Sequence, residues 1–183
     1  MPFPRIASVI IALALLGAAC GNDTTTEPAT TADVTTPSSE APSSDTPSSD
    51  NVFGIAYETF EGEPARLDDH LGTPLVINFF AQWCVNCVQE MPDFQDVSQE
   101  FAGEVDFVGL SIDKGAAEAL ELIDATGVTY PTGWDPTEEI YAHFRGLSMP
   151  TTVFVDADGQ IRRVWSGALD ADALRDKINE EIL

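Results

Sequence analysis

Two cysteines spaced as Cys-x-x-Cys are the residues of this 183-residue chain best suited to chemistry. They stand in Trp83-Cys84-Val85-Asn86-Cys87, directly after an apolar run and at the predicted start of a helix. The spacing puts both sulfurs on one side of the first helical turn, close enough to form a small disulfide ring. Unpaired N–H groups and the helix dipole at this position favour an anion. The sequence therefore predicts a lowered pKa for the Cys84 thiol.

These properties predict thiol–disulfide exchange by an enzyme that needs no cofactor. Cys84 would attack a partner disulfide, and Cys87 would resolve the mixed disulfide that forms. A structural disulfide is a weaker alternative, because a four-residue ring closes little chain entropy. A metal site is also weaker: zinc would need a second Cys-x-x-Cys, and copper would need His70 or His143 near the thiols. We therefore predict no metal.

The third cysteine, Cys20, follows an N-terminal segment typical of exported proteins. Arg5 precedes a run of apolar and small residues over positions 6–19. This run predicts a signal peptide over residues 1–20, because a membrane-spanning helix needs about 20 apolar residues. A cysteine after small residues resembles a bacterial lipoprotein signal, and lipidation of Cys20 would explain the odd cysteine count. We expect an extracytoplasmic protein anchored to the cell membrane through Cys20, with secretion or an uncleaved anchor as alternatives.

Residues 21–51 have the composition of a disordered tether. They are rich in Ser, Thr, Pro and acidic residues, and a Pro-Ser-Ser-acidic repeat begins at Pro37, Pro42 and Pro47. Such a stretch buries too little apolar surface to offset the entropy lost on ordering. Its reach is on the order of 30 Å. The folded domain is therefore predicted over residues 52–183, a length sufficient for one hydrophobic core.

The chain is strongly acidic, with a formal net charge of −23 and only eight Lys plus Arg residues. Binding to nucleic acid through phosphates needs a basic patch, which this composition does not provide. The sequence thus predicts no nucleic-acid partner and an acidic surface that favours solubility.

Hydrophobic patterning predicts strands that alternate with helices along residues 52–183. The apolar run at 75–80 is typical of a central strand buried on both faces. A helix over about 84–101, kinked at Pro92, follows it with these residues on one face: Val88, Met91, Phe94, Val97 and Phe101. The other predicted elements are extended segments at 57–60, 105–112, 128–134, 151–155 and 161–166 and helices at 116–126, 137–144 and 171–182. This order predicts an α/β domain with a mixed central sheet flanked by helices.

The sequence combines a buried strand, Trp-Cys-x-x-Cys, a kinked helix and Met149-Pro150-Thr151 before a strand hairpin. This combination resembles the thioredoxin superfamily, and within it the TlpA/ResA-like membrane-anchored branch, which is related to the AhpC/TSA redoxins. The details shared with that branch are Asn78, Glu90, Pro92 and an extra strand–helix insertion around residues 114–134. The resemblance covers essentially all of residues 52–183 and implies a thioredoxin-like fold.

The resemblance also implies roles for residues outside the cysteine pair. Pro150 would be a cis-proline facing the disulfide, and would present the backbone of Met149 to a substrate strand. Glu90 would tune thiol protonation or relay protons, and Trp83 would flank the thiols and contact substrate. Asn78 would be structural or would form a hydrogen bond beneath the site. The alternatives are a trans-proline that opens a strand, a solvated glutamate and a tryptophan that only packs.

For function, the resemblance favours a reductase that passes electrons from a membrane thiol donor to disulfides of exported proteins, with apocytochrome c as the typical substrate. The alternative is an oxidant that donates its disulfide to exported proteins. The same motif serves both directions, and only the relative stability of dithiol and disulfide differs. Asn86 stands where Pro is common, which leaves the direction open. A copper- or client-binding module without catalysis is a further alternative, and a thiol peroxidase is disfavoured because both thiols share one turn.

Overall fold

The structure is a computed structural model that describes residues 50–183. Its strands are β1 (Ala56–Thr59), β2 (Pro64–Arg66), β3 (Leu75–Phe80), β4 (Asp106–Ser111), β5 (Thr132–Trp134), β6 (Thr151–Val155) and β7 (Ile161–Ser166). Its helices are α1 (Val85–Glu100), α2 (Ala116–Thr126), α3 (Glu139–His143) and α4 (Ala171–Glu181), with a short 3-10 helix at Leu67–His70. The strands form one sheet in the order β2-β1-β5-β4-β3-β6-β7. The predicted α/β fold with a mixed central sheet is confirmed.

Strand β3 lies in the interior of the sheet between β4 and β6, and all of its side chains except Asn78 are apolar. All six of its residues are buried. It pairs in parallel with β4 and antiparallel with β6, which are also almost wholly buried. Burial on both faces explains why these strands read as continuous apolar runs rather than as alternating patterns.

Side chains alternate across β3 and so separate two helical layers. Asn78 points towards α1, where it bonds to Glu90. Its neighbour Phe79 points to the other face, where its ring lies 5.3 Å from that of Tyr141 and 5.8 Å from that of Phe144. Helices α1 and α4 pack together on the first face, and α3 covers the second.

Two details differ from the predicted elements. Strand β2 and the 3-10 helix were not predicted. The strand has three residues and the helix four, which is too short for a recognisable spacing of apolar residues. Val88 was wrongly placed on the buried face of α1, since it is 37% exposed. The buried face runs instead through Cys87, Glu90 and Phe94, and Val88 lies at its margin.

Three loops meet at one edge of the sheet. Residues 81–84 leave the end of β3, and residues 112–115 leave the end of its parallel neighbour β4. Strand β6 runs the opposite way and begins at the same edge, with Thr151 opposite Phe79. Loops that follow parallel strands commonly form the sites of α/β proteins.

The predicted signal peptide, the tether and Cys20 lie outside the described residues, apart from the last two residues of the tether. None of the helices in residues 50–183 combines the length and the apolar character needed to cross a membrane.

Candidate active site

Cys84 and Cys87 form a disulfide at the start of α1. Cys84 is the N-cap residue, and the backbone N–H of Cys87 donates a hydrogen bond to its Sγ at 3.2 Å. The first turn of α1 contains no acidic side chain that would oppose a negative sulfur. After reduction, the helix terminus would therefore favour a thiolate at Cys84.

The two sulfur-bearing residues differ in access to solvent. Cys84 is 6% exposed, whereas Cys87 is 0% exposed. Three apolar side chains in the loops at this edge of the sheet are open to solvent: Trp83 and Val85, which flank Cys84 in the chain, are 64% and 68% exposed, and Leu147, two residues before Met149, is 89% exposed. We call these three residues the apolar collar. A partner protein would therefore meet Cys84 first, within an apolar surface.

The peptide bond between Met149 and Pro150 is cis. Pro150 is buried, Met149 is half-buried, and the N–H of Gly167 donates a hydrogen bond to the Pro150 carbonyl at 2.9 Å. Because β6 begins at the edge where residues 81–84 leave β3, Pro150 lies at the same edge of the sheet as the disulfide.

Glu90 lies one turn beyond Cys87 on the buried face of α1. It is only 2% exposed, so the alternative of a solvated helix carboxylate is wrong. Its Oε1 accepts a hydrogen bond from Asn78 Nδ2 at 2.9 Å, and its Oε2 accepts one from the N–H of Leu169 at 3.1 Å. Burial raises the pKa of Glu90 to about 7, against the opposing effect of these two donors. Glu90 can therefore hold or release a proton near neutral pH.

A second buried carboxylate at this edge, that of Asp113, was not predicted from the sequence. Its two carboxylate oxygens lie 2.9 and 3.2 Å from the backbone N of Gln82, and the Ser111 hydroxyl donates to it at 3.1 Å. The Asp113 carbonyl accepts a hydrogen bond from Trp134 Nε1 at 2.7 Å. Asp113 follows β4, which is parallel to β3, and residues at this position of parallel strands commonly belong to functional sites. This position could have identified Asp113 from the sequence.

The two histidines considered for a copper site are not assembled with the thiols. His70 Nδ1 lies 2.8 Å from Asp106 Oδ2. Asp106 begins β4 and pairs with Leu75, so His70 lies at the sheet edge opposite the disulfide. His143 ends α3, with its ring packed edge-on against Phe144. Within residues 50–183, no three His, Cys, Asp or Glu side chains are grouped so as to hold a metal ion.

The curated relatives that resemble this chain include two bacterial proteins. The thiol-disulfide oxidoreductase ResA of Oceanobacillus iheyensis is 32% identical over 124 residues, which are 67% of this chain and 65% of that protein. The thioredoxin-like protein YneN of Bacillus subtilis is 29% identical over 125 residues, which are 67% of this chain and 73% of that protein. The chain thus matches about two thirds of the length of ResA and somewhat more of YneN.

A solved structure and a family profile agree with these relatives. The structure of MTB DsbF in its mixed oxidized and reduced forms is 27% identical, with a TM-score of 0.64, and covers 68% of this chain and 92% of that one. The predicted thioredoxin-like fold is therefore confirmed. The profile of the AhpC/TSA family matches residues 40–164, which is more than half of the sequence. The chain belongs to the AhpC/TSA family.

Proposed function

We propose that this protein is a thiol–disulfide oxidoreductase that works through Cys84 and Cys87. The observation that carries the proposal is the disulfide at the start of α1, with one sulfur-bearing residue reachable and the other shielded. The activity named for ResA, a relative at 32% identity, supports it. In this role Cys84 is the nucleophile and Cys87 the resolving thiol.

In the reducing direction, the Cys84 thiolate attacks one sulfur of a client disulfide. A bond forms between Cys84 Sγ and that sulfur, and the other client sulfur leaves as a thiolate. The Cys87 thiolate then attacks Cys84 Sγ, which releases the second client sulfur and closes the Cys84–Cys87 disulfide. Two electrons have passed to the client, and a thiol donor must return two electrons to the protein.

Glu90 is proposed to accept the proton of the Cys87 thiol and to return it later in this cycle. Cys87 must lose a proton before it attacks, and it is fully shielded from water. Glu90 lies on the same buried face one turn away, and its pKa of about 7 allows it to accept a proton and later return it. Asn78 and the N–H of Leu169 hold the carboxylate in place.

The client is proposed to bind across the apolar collar and the Met149–Pro150 peptide. The collar offers exposed apolar area that a client would cover on binding, and the Met149 backbone offers hydrogen bonds to an extended client strand. In this proposal Trp83, Met149 and Pro150 contact the substrate, while Cys84 alone reacts with it.

We further propose that the protein is a reductase outside the cytoplasm, of the kind that prepares apocytochrome c. Its partners would be exported proteins with disulfides and a membrane protein that donates electrons as thiols. A lipid on Cys20 would hold the protein on the membrane, and residues 21–51 would act as a spacer. The lipoprotein-type sequence at residues 1–20 supports this part of the proposal.

Two measurements on the purified protein test the catalytic proposal. Equilibration with glutathione gives its reduction potential: a value near those of cytosolic reductants supports the reductase, and a clearly oxidising value contradicts it. The Cys87→Ser variant should accumulate mixed disulfides through Cys84, whereas Cys84→Ser should accumulate none. Trapping by Cys84→Ser instead would reverse the two roles.

The anchor is tested separately in cells. The full chain should remain with membranes after a high-salt wash and incorporate labelled fatty acid. Cys20→Ser should lose the label. An unlabelled wild-type chain released into the medium would support secretion without a lipid.

A further inference from the structure

Asp113 is joined to the loop before Cys84 by a hydrogen bond from the backbone of that loop to its side chain. Asp113 is only 5% exposed, and its carboxylate accepts the backbone N–H of Gln82, which lies two residues before Cys84. The loop then turns back on itself, because the N–H of Cys84 donates to the Ala81 carbonyl at 3.0 Å. These two bonds define the path of the segment that carries Trp83 and Cys84. A hydrogen bond to a charged acceptor is roughly twice as strong as a neutral one, so Asp113 is a firm anchor.

The charge of Asp113 is not neutralised by the donors that contact it. The Gln82 N–H and the Ser111 hydroxyl are both neutral groups. The adjacent Lys114 is engaged elsewhere: its Nζ lies 2.6 Å from Glu138 Oε1 and 2.9 Å from the Pro136 carbonyl. A negative charge is therefore held in a shielded position beside the loop that ends at Cys84.

We propose that Asp113 is a positioning residue that fixes the loop before Cys84 and also destabilises the Cys84 thiolate through its charge. The proposal rests on the exchange function proposed above. A negative neighbour favours the neutral form of a thiol, so Asp113 opposes the stabilisation that the α1 terminus gives to the thiolate.

Other titratable groups lie on the elements that pack against the active-site loop. Glu90 is on the buried face of α1, and Cys87 becomes a second thiol after reduction. From α2, Glu121 Oε2 accepts a hydrogen bond from Gln82 Nε2 at 3.3 Å, on the exposed side of the loop. Glu90 and Glu121 are acidic and act in the same sense as Asp113, whereas the N-terminus of α1 favours the thiolate.

The consequence concerns the direction of electron flow. A protein whose thiolate is strongly stabilised holds electrons firmly and acts as an oxidant. Asp113 acts in the opposite sense, because it makes the dithiol less stable relative to the disulfide. It therefore biases the Cys84–Cys87 pair towards giving electrons away, as a reductase requires.

The test compares Asp113→Asn with the unchanged full chain. Asparagine keeps an oxygen for the Gln82 N–H but removes the charge. The pKa of the Cys84 thiol should fall by about one unit, read residue by residue from the pH dependence of iodoacetamide alkylation by mass spectrometry. Above both thiol pKa values, the equilibrium with glutathione should move about tenfold towards the dithiol, which corresponds to about 30 mV. An unchanged Cys84 pKa would overturn the charge effect.

Asp135→Asn is a matched control for the loss of a buried carboxylate. Asp135 is 3% exposed and accepts the backbone N–H of Tyr141 at 2.8 Å, one strand further from β3. It should shift the Cys84 pKa far less than Asp113→Asn does. An equal shift would show that net charge, and not the position of Asp113, is responsible.

The anchoring role has its own measurement, the hydrogen exchange of the Gln82 amide, which does not depend on the thiol pKa. The Gln82 amide should exchange with deuterium slowly in the unchanged protein and at least tenfold faster in Asp113→Ala, while Asp113→Asn restores slow exchange. Fast exchange of this amide in the unchanged protein would overturn the anchor. If the unchanged chain forms no mixed disulfide with glutathione, the proposed function itself fails, which is a different outcome from an unchanged Cys84 pKa.

Discussion

The two sides of the disulfide differ in kind. On the outer side lies the apolar collar of Trp83, Val85 and Leu147, all open to solvent. On the inner side lie the buried polar residues Asn78, Glu90 and Asp113, each held by hydrogen bonds. The reacting sulfur of Cys84 lies between an exposed apolar surface that can bind a client and buried polar residues that can affect the protonation of the thiols.

The two sides are expected to determine two different properties, the affinity for a client and the thiol–disulfide equilibrium. The collar side chains carry no titratable group, so changes there should alter client binding and leave the thiol–disulfide equilibrium unchanged. The inner residues are shielded from a client, so changes there should alter protonation and the thiol–disulfide equilibrium. Variants on each side can therefore show whether the two properties are independent.

The largest effect is expected from Glu90→Gln on the inner side. Because burial raises the folded-state pKa of Glu90 to about 7, its neutral form is favoured in the folded protein. Its contribution to stability is therefore full below about pH 4.5 and is lost as the pH rises through 7. Glu90→Gln should remove this pH dependence, on the order of 3 kcal/mol between pH 5 and 8, in urea unfolding of the disulfide form.

Glu104→Gln, which changes an exposed carboxylate, is the control for that experiment. It should keep the pH dependence of the unchanged protein. If Glu90→Gln and the unchanged protein lose stability in parallel between pH 5 and 8, Glu90 does not titrate in that interval.

A smaller effect is expected from the outer side. Replacing both Trp83 and Leu147, as Trp83→Ala with Leu147→Ser, removes most of the apolar area that a client would cover. The KM for a protein client should rise about tenfold, or about 1.4 kcal/mol, with the glutathione equilibrium unchanged. Leu71→Ser is the matched control, because Leu71 is 46% exposed at the opposite end of the sheet, beside the turn at 156–159. A changed glutathione equilibrium in the double variant would show that the collar also affects the thiol–disulfide equilibrium, so that the two sides are not independent.

The sequence predicted this site wherever local pattern determines it. Neighbouring residues alone were enough to predict the Cys-x-x-Cys turn, the buried strand at 75–80, the helix at 116–126 and the strands at 151–155 and 161–166. The resemblance to thioredoxin-like proteins supplied the fold. Asp170 caps α4 in the same local way, because its side chain accepts the Ala173 N–H at 2.9 Å.

The parts that pattern missed depend on contacts distant in sequence. Asp113 follows an apolar strand like any turn residue, and only its bond to Gln82, 31 positions earlier, brings it into the site. Glu90 sits among polar helix residues and is buried because β3 and the loop at Leu169, 79 positions away, close over it. Val88 was wrongly predicted to be buried because the spacing of apolar residues indicates which face of a helix packs against the sheet. It does not indicate which residues lie at the margin of that face.

The smallest predicted effect tests a bond within the inner layer itself. Asn78 Nδ2 donates to Glu90, but its Oδ1 is buried without a hydrogen-bond partner. Asn78→Leu would remove the donor that favours the carboxylate and also remove an unpaired acceptor, so stability at pH 5 should change by less than about 1 kcal/mol. The pKa of Glu90 should rise above 7 by about half a unit, measured from the carboxyl carbon signal by NMR titration. A fall in that pKa would mean that burial around Glu90, and not the Asn78 bond, had changed, because loss of a donor to the carboxylate can only raise it.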